Sequence, residues 1–223
     1  MPPTHFRIAV LASGRGSNLL ALLDAIAAGG LDAQVVGVFS DKPSCGAIAI
    51  ARARGLHWVA IPPRDCADRA AHDEALFSEI DAVQPDLIVC AGYMRIIGAA
   101  ALRRFEGRMI NLHPSLLPRY PGLDTHARAL AAGDAEHGAS VHAVIPELDA
   151  GGVVSQVRVP VVPGDDAASL SRRLLRREHA LLVATVQLFA QRRVQLHAHH
   201  AQLDGRRLAA PLQLDADNRL TGA

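Results

Sequence analysis

Three cysteines in 223 residues, Cys45, Cys66 and Cys90, are too few and too scattered for a disulfide framework or a zinc spacing. They read as small buried apolar residues of a chain kept in a reducing compartment. No uncharged apolar run approaches the ~20 residues needed to span a bilayer. The start, Met1-Pro2-Pro3-Thr4-His5, lacks a basic segment followed by an apolar one, so no signal peptide is expected. Charge of one sign is not in excess either: 23 basic against 22 acidic side chains give a net charge of +1. A broad nucleic-acid or membrane surface is therefore not expected, although one phosphate could still be held. What remains is a cytoplasmic chain, half hydrophobic by residue count, long enough for one large domain.

The hydrophobic runs alternate in kind. Short apolar stretches at 6–12, 33–39, 57–61, 86–91 and 108–112 read as strands. Helical spacing at 18–28, 44–54, 66–83 and 96–105 separates them. This alternation means βαβ units, an α/β fold of Rossmann-like type, with a mostly parallel sheet flanked by helices. From about Gly138 the rhythm changes. Residues 139–145 and 153–159 read as two strands of an antiparallel C-terminal portion, 167–192 as a long helix, and 194–223 as a tail of short strand-like pieces. The expected organisation is a single domain over 1–223, with a phosphate-binding βαβ half at 1–105, a catalytic and ligand-binding half at 106–205 and a tail at 206–223.

In parallel sheets ligands gather beyond the carboxyl ends of the strands. Three polar segments fall there: 13–18, 92–95 and 111–113. The first, Ser13-Gly14-Arg15-Gly16-Ser17-Asn18, leads into a helix, where free N–H groups and the helix dipole favour an anion. Asn18 is placed to cap that helix. A Walker loop would need Gly-Lys-Ser/Thr, which is absent, and Leu19 stands where a dinucleotide fingerprint needs glycine or alanine. Asp41 keeps the dinucleotide reading open as a possible ribose-binding acid.

The segment Asn111-Leu112-His113-Pro114-Ser115 carries an amide and an imidazole two residues apart on extended backbone, hence on one side. An amide N–H aimed at a carbonyl stabilises an oxyanion, and a histidine beside it adds charge or a proton. A carboxylate such as Asp149, in the glycine-rich turn 146–152, would orient that ring. Taken singly, His113 also reads as a satisfied strand-end histidine and Asp149 as a turn residue bonding its own backbone. No nucleophile elbow is present. His-x-Pro lacks metal-ligand spacing, so no metal is expected. His142 alternates with apolar neighbours and could line a cleft, while His197, His199 and His200 read as a solvated cluster.

Together SGRGSN, AGYMR, NLHPSLLPRYPGL, HGASVH, ELDAGG and REHA, in that order over residues 6–205, resemble the folate-dependent phosphoribosylglycinamide formyltransferases. The resemblance implies formyl transfer from 10-formyltetrahydrofolate, as co-substrate, to the amine of glycinamide ribonucleotide in purine synthesis. It implies Asn111, His113 and Asp149 as the catalytic trio. Gly16, Ser17 and Asn18 would hold the ribonucleotide's phosphate, and Leu175, Arg176, Arg177 and Glu178 would border the rest of it. Arg69, Met94, Arg95, Ile96, Ile97 and Asn111 would contact the folate, with Ile145, Pro146, Glu147, Leu148 and Asp149 forming a loop over its pterin. The family often has Tyr-Pro after its Glu-His pair, where this chain has Ala180 and Leu181, so helix packing is expected to differ there. The partners implied are small molecules only, in a monomer or homodimer. Formyltetrahydrofolate hydrolases and methionyl-tRNA formyltransferases resemble the same trio, but carry an extra N-terminal or a long C-terminal domain. A non-catalytic nucleotide- or folate-binding protein and an NAD-linked oxidoreductase are the readings from other classes.

Overall fold

The computed structural model describes residues 5–222. They form two compact units divided between Asn111 and Leu112.

The first unit contains β1 (Phe6–Leu11), α1 (Ser17–Ala27), β2 (Ala33–Ser40), α2 (Gly46–Ala53), β3 (Trp58–Ala60), α3 (Arg69–Ala82), β4 (Leu87–Cys90) and α4 (Ala99–Arg104). It ends on β5 (Met109–His113), which carries the chain into the second unit. Its strands run parallel: β1 lies between β2 and β4, β3 pairs outside β2, and β5 outside β4. β4 is buried along its whole length and β1 nearly so, as strands covered on both faces must be. Helices α1, α2 and α3 pack against β2. Leu19 and Leu22 of α1, and Leu76, Phe77 and Ile80 of α3, supply the buried faces.

Three helices begin later than the apolar pattern predicts, α2 among them at Gly46 rather than residue 44. The helix expected from residue 66 starts at Arg69, because Asp68 caps it and accepts the Ala71 N–H at 2.8 Å. The helix expected from residue 96 starts only after Gly98, whose N–H is taken by Asp73 Oδ2 at 2.7 Å. Residues 94–97 are therefore loop.

The second unit contains α5 (Thr125–Ala131), β6 (Glu136–Ala143), β7 (Val153–Pro160), α6 (Ala167–Ala190), β8 (Val194–Leu196), β9 (Ala201–Leu203), β10 (Arg206–Arg207), β11 (Leu212–Leu214) and β12 (Leu220–Thr221). β6 and β7 pair antiparallel, as expected, and α6 packs on both. α6 opens on a reciprocal cap, Asp166 with Ser169, and runs unbroken through Ala180 and Leu181. Leu170, Leu174, Leu181, Leu182, Val186 and Phe189 are its buried face.

Much of the tail is sheet. β11 adds to β7 in parallel, and β12 closes back on β11. Arg177 of α6 holds this hairpin by donating to the carbonyl of Asp215 at 2.5 Å and to Asn218 Oδ1 at 2.7 Å. α5 is absent from the pattern reading. It has seven residues, with only Thr125 and Ala129 buried, too short for a periodic signal. Among the described residues no helix is long and apolar enough to cross a membrane. All three cysteines are unpaired, Cys45 and Cys90 being buried.

Candidate active site

The glycine-rich loop lies where a strand end meets a helix start. α1 begins at Ser17, one residue before the expected cap, and its N-cap is Gly16, in the left-handed region at φ 82°. Asn18 thus sits inside the first turn; its Oδ1 is buried without a partner. Gly16 is required there on two counts. A Cβ would strain that φ, and it would stand 2.7 Å from the Cα of Ala47. The first N–H groups of a helix have no partner within it, and here no side chain caps them. An anion presented to Gly16, Ser17 and Asn18 would find those donors and the positive end of the dipole.

Residues 92–98 follow β4 in the same unit. Met94 and Ile96 are exposed, 63% and 62%, although both are large and apolar. Arg95 is half-buried with an unpartnered Nε, Ile97 is buried, and Arg69 is exposed at the start of α3. Two exposed apolar side chains thus stand on a loop anchored at Gly98.

The polar centre of the second unit is Asp149. Its Oδ2 accepts the Gly122 N–H at 2.8 Å and faces His113 Nδ1 at 3.4 Å. Its Oδ1 faces His142 Nε2 at 3.6 Å. Asp149 takes φ 51°, a left-handed conformation uncommon outside glycine, so its placement is held by its surroundings. The turn after it backs directly onto β6: a Cβ on Gly151 would stand 2.0 Å from the Ala143 carbonyl oxygen. Gly152 exchanges backbone bonds with Ala143 and with Ala198 of the turn between β8 and β9, both at 2.9 Å.

His113, 5% exposed, bonds through Nε2 to the carbonyl oxygen of Tyr120 at 2.9 Å. His142, 2% exposed, bonds through Nδ1 to the carbonyl of Ala143 at 2.9 Å. A carbonyl only accepts, so both nitrogens carry protons. The remaining nitrogen of each ring faces the carboxylate. Burial pulls the His142 ring below its ordinary range, and proximity to His113 adds to that. The expectation that His142 lines a cleft by alternation does not hold in that form. β6 is buried continuously from His137 to Ala143, on both faces, so burial does not alternate along it, and a register shift against β7 falls between Val141 and His142.

The 114–120 turn is braced from β6 and β7. Ser140 Oγ donates to the Ser115 carbonyl at 2.7 Å, and Gln156 Nε2 to the Leu117 carbonyl at 2.9 Å. Tyr120, itself at φ 55°, is tied by its hydroxyl to Asp134 Oδ2 at 2.8 Å. A second histidine pair, His126 and His137, stands with ring centroids 4.9 Å apart and both Nε2 atoms buried without partners. Burial is the main cause pushing His137 down to about 4.

Of the expected trio, His113 and Asp149 face each other. Asn111 is half-buried on β5, two residues before His113 and on the same face of that strand. Of the expected pterin loop, Leu148 is exposed, 61%, with Ile145 half-buried and Pro146 and Glu147 exposed. Leu175 is half-buried and Arg176 exposed on α6. The Arg177 guanidinium bonds the tail, at Leu214, Asp215 and Asn218. Burial pushes the Glu178 carboxyl up to about 7. Asp41 differs from the dinucleotide reading. It is buried, and its Oδ1 accepts the Ser13 hydroxyl proton at 2.6 Å. Pattern reading missed the Gly122 amide, the Tyr120 carbonyl and the His142 contact with Asp149. The only local signal for the first two is the Tyr-Pro-Gly turn itself.

The formyl transferase family model matches residues 6–186. A phosphoribosylglycinamide formyltransferase of Escherichia coli (strain K12) is 43% identical over 201 residues, covering 90% of this chain and 95% of the relative. One from Mycobacterium tuberculosis (strain H37Rv) is also 43% identical, over 85% of this chain and 87% of its own. The solved phosphoribosylglycinamide formyltransferase of Coxiella burnetii superposes with a TM-score of 0.88 at 40% identity, covering 92% of this chain and 97% of that one.

Proposed function

The chain belongs to the formyl transferase family, in its phosphoribosylglycinamide formyltransferase branch, and from that premise we propose that it moves the formyl group of 10-formyltetrahydrofolate directly onto the amine of glycinamide ribonucleotide. The observation that carries the mechanism is the Asp149 carboxylate set between His113 and His142 and anchored by the Gly122 amide.

The amine nitrogen attacks the formyl carbon. A C–N bond forms, and the carbonyl electron pair moves onto oxygen. The Asn111 amide and the protonated His113 ring stabilise that oxyanion. In this form His113 donates from both nitrogens, from Nε2 to the Tyr120 carbonyl and from Nδ1 toward Asp149 and the oxyanion. The 3.4 Å separation from Asp149 is longer than a full hydrogen bond, which leaves the Nδ1 proton available for sharing. Asp149 balances the imidazolium charge and assists the amine proton toward folate N10. The oxyanion then collapses to C=O as the N10–C bond breaks with its electron pair going to the protonated N10, giving the formylated amine and tetrahydrofolate. Both substrates are held together, so no covalent enzyme intermediate forms.

In this reading the amides of Gly16, Ser17 and Asn18 receive the phosphate. Met94 and Ile96 contact the folate ring system. Arg176 and Glu178 lie on the ribonucleotide side. The test is an assay with 10-formyltetrahydrofolate, with and without glycinamide ribonucleotide. Tetrahydrofolate release that requires the amine is expected. Release without it means a hydrolase, and no release in either case removes the proposal.

A further inference from the structure

Asp41 is the acid that pattern reading set aside for a ribose, and formyl transfer has no use for it as such. It is buried, 5% exposed, against Ser13, 6% exposed. The Ser13 hydroxyl donates to Asp41 Oδ1 at 2.6 Å, a short charge-assisted bond. With its proton so directed, Ser13 Oγ is left to accept, and it accepts the Met94 N–H at 3.0 Å. The Ser13 N–H donates to the Gly92 carbonyl at 3.0 Å. One residue at the head of the glycine-rich loop thus holds two backbone groups of the 92–98 loop. Asp73 holds the far end through the Gly98 N–H at 2.7 Å. Between these anchors project the exposed Met94 and Ile96.

The glycine-rich loop packs closely against the start of α2. Ala47 N–H bonds the Gly14 carbonyl at 3.2 Å, and a Cβ on Gly46 would stand 2.3 Å from the Arg15 carbonyl oxygen. Ser13 and the Gly16 to Asn18 amides are thus joined through a short segment held against α2.

We propose that Ser13, oriented by Asp41, couples the two loops, so that phosphate in the glycine-rich loop sets the Met94–Ile96 surface and the two substrates bind cooperatively. Ser13 and Asp41 are positioning residues. The inference rests on the assignment of these loops to ribonucleotide and folate made above.

Calorimetric titration of tetrahydrofolate, with and without saturating glycinamide ribonucleotide, measures the coupling. In the unaltered protein the ribonucleotide tightens tetrahydrofolate binding about fivefold or more. Ser13→Ala reduces that factor to nearly one, while each ligand alone keeps its affinity. Ser13→Thr, which retains the hydroxyl, keeps the coupling. Asp41→Asn, similar in shape but neutral, lowers it to about twofold and carries the test if Ser13→Ala does not fold. An unchanged factor in Ser13→Ala or Asp41→Asn overturns the inference. So does equal loss of both ligands' separate affinities, which marks a merely structural role. If both ligands bind the unaltered protein without coupling, this inference alone fails. If neither binds, the loop assignments fail and take it with them.

Discussion

His113 gives its Nε2 proton to the carbonyl oxygen of Tyr120 at 2.9 Å, and that bond turns Nδ1 toward Asp149. The carbonyl cannot flip roles, so the ring has one neutral tautomer compatible with it, and that tautomer sets a lone pair against a carboxylate. Protonation converts this repulsion into an ion pair. The Tyr120 peptide is in turn held by the phenol bond to Asp134.

Asp149→Asn preserves volume and an acceptor for the Gly122 amide but removes the charge. Turnover is expected to fall by about a hundredfold or more, with Tm changed by only a few degrees. Steady-state formyl transfer and a thermal melt check this, and near-normal turnover would remove Asp149 from the chemistry.

Two groups make stability depend on pH with opposite signs. His137 is pushed down to about 4, so the unfolded chain takes up a proton first, and stability is lost as pH falls from the ordinary histidine range through about 4. Glu178 is pushed up to about 7, so the unfolded chain loses its proton first, and stability is lost as pH rises from the ordinary carboxyl range through about 7. In melts recorded across pH, His137→Gln should flatten the acid side and Glu178→Gln the neutral side. Variants with the parent's profile would contradict these assignments.

Gly16→Ala forces a side chain into φ 82° and against Ala47. The expected cost is about 1–3 kcal/mol, seen as a lower Tm. The KM for the ribonucleotide should rise about tenfold or more if the loop amides hold its phosphate. An unchanged KM in a folded variant would place the phosphate elsewhere.

Arg177→Ala frees the β11–β12 hairpin. Loss of charge-assisted bonds to the carbonyl of Asp215 and to Asn218 should cost about 1.5–3 kcal/mol. Limited proteolysis should then cut within 205–220 faster than in the parent chain. Equal cleavage rates would show that the strand pairing alone holds the hairpin.

The first unit was largely legible because its signals are local. A strand buried on both faces needs an unbroken apolar run, as at 8–11 and 87–90, and the helices between carry their leucines at regular spacing. Two misplaced helix starts trace to single side-chain bonds, Asp68 to Ala71 and Asp73 to Gly98, which no periodicity announces. The tail reads as short strand-like pieces, as it is, but the pairing of those pieces was illegible. β11 has three residues, and its partner β7 lies far back along the chain.

By itself the sequence determined the alternating α/β order, the glycine turn before α1 and the side chains available beyond the strand ends. These depend on covalent order and local spacing. Only the tertiary structure decided which group each of those side chains meets. It set His142 as well as His113 on Asp149, turned Asp41 onto Ser13, and drew Arg177 onto the tail. An imidazole, a carboxylate and a guanidinium each have several hydrogen-bonding positions, and segments distant in sequence determine which of them are filled.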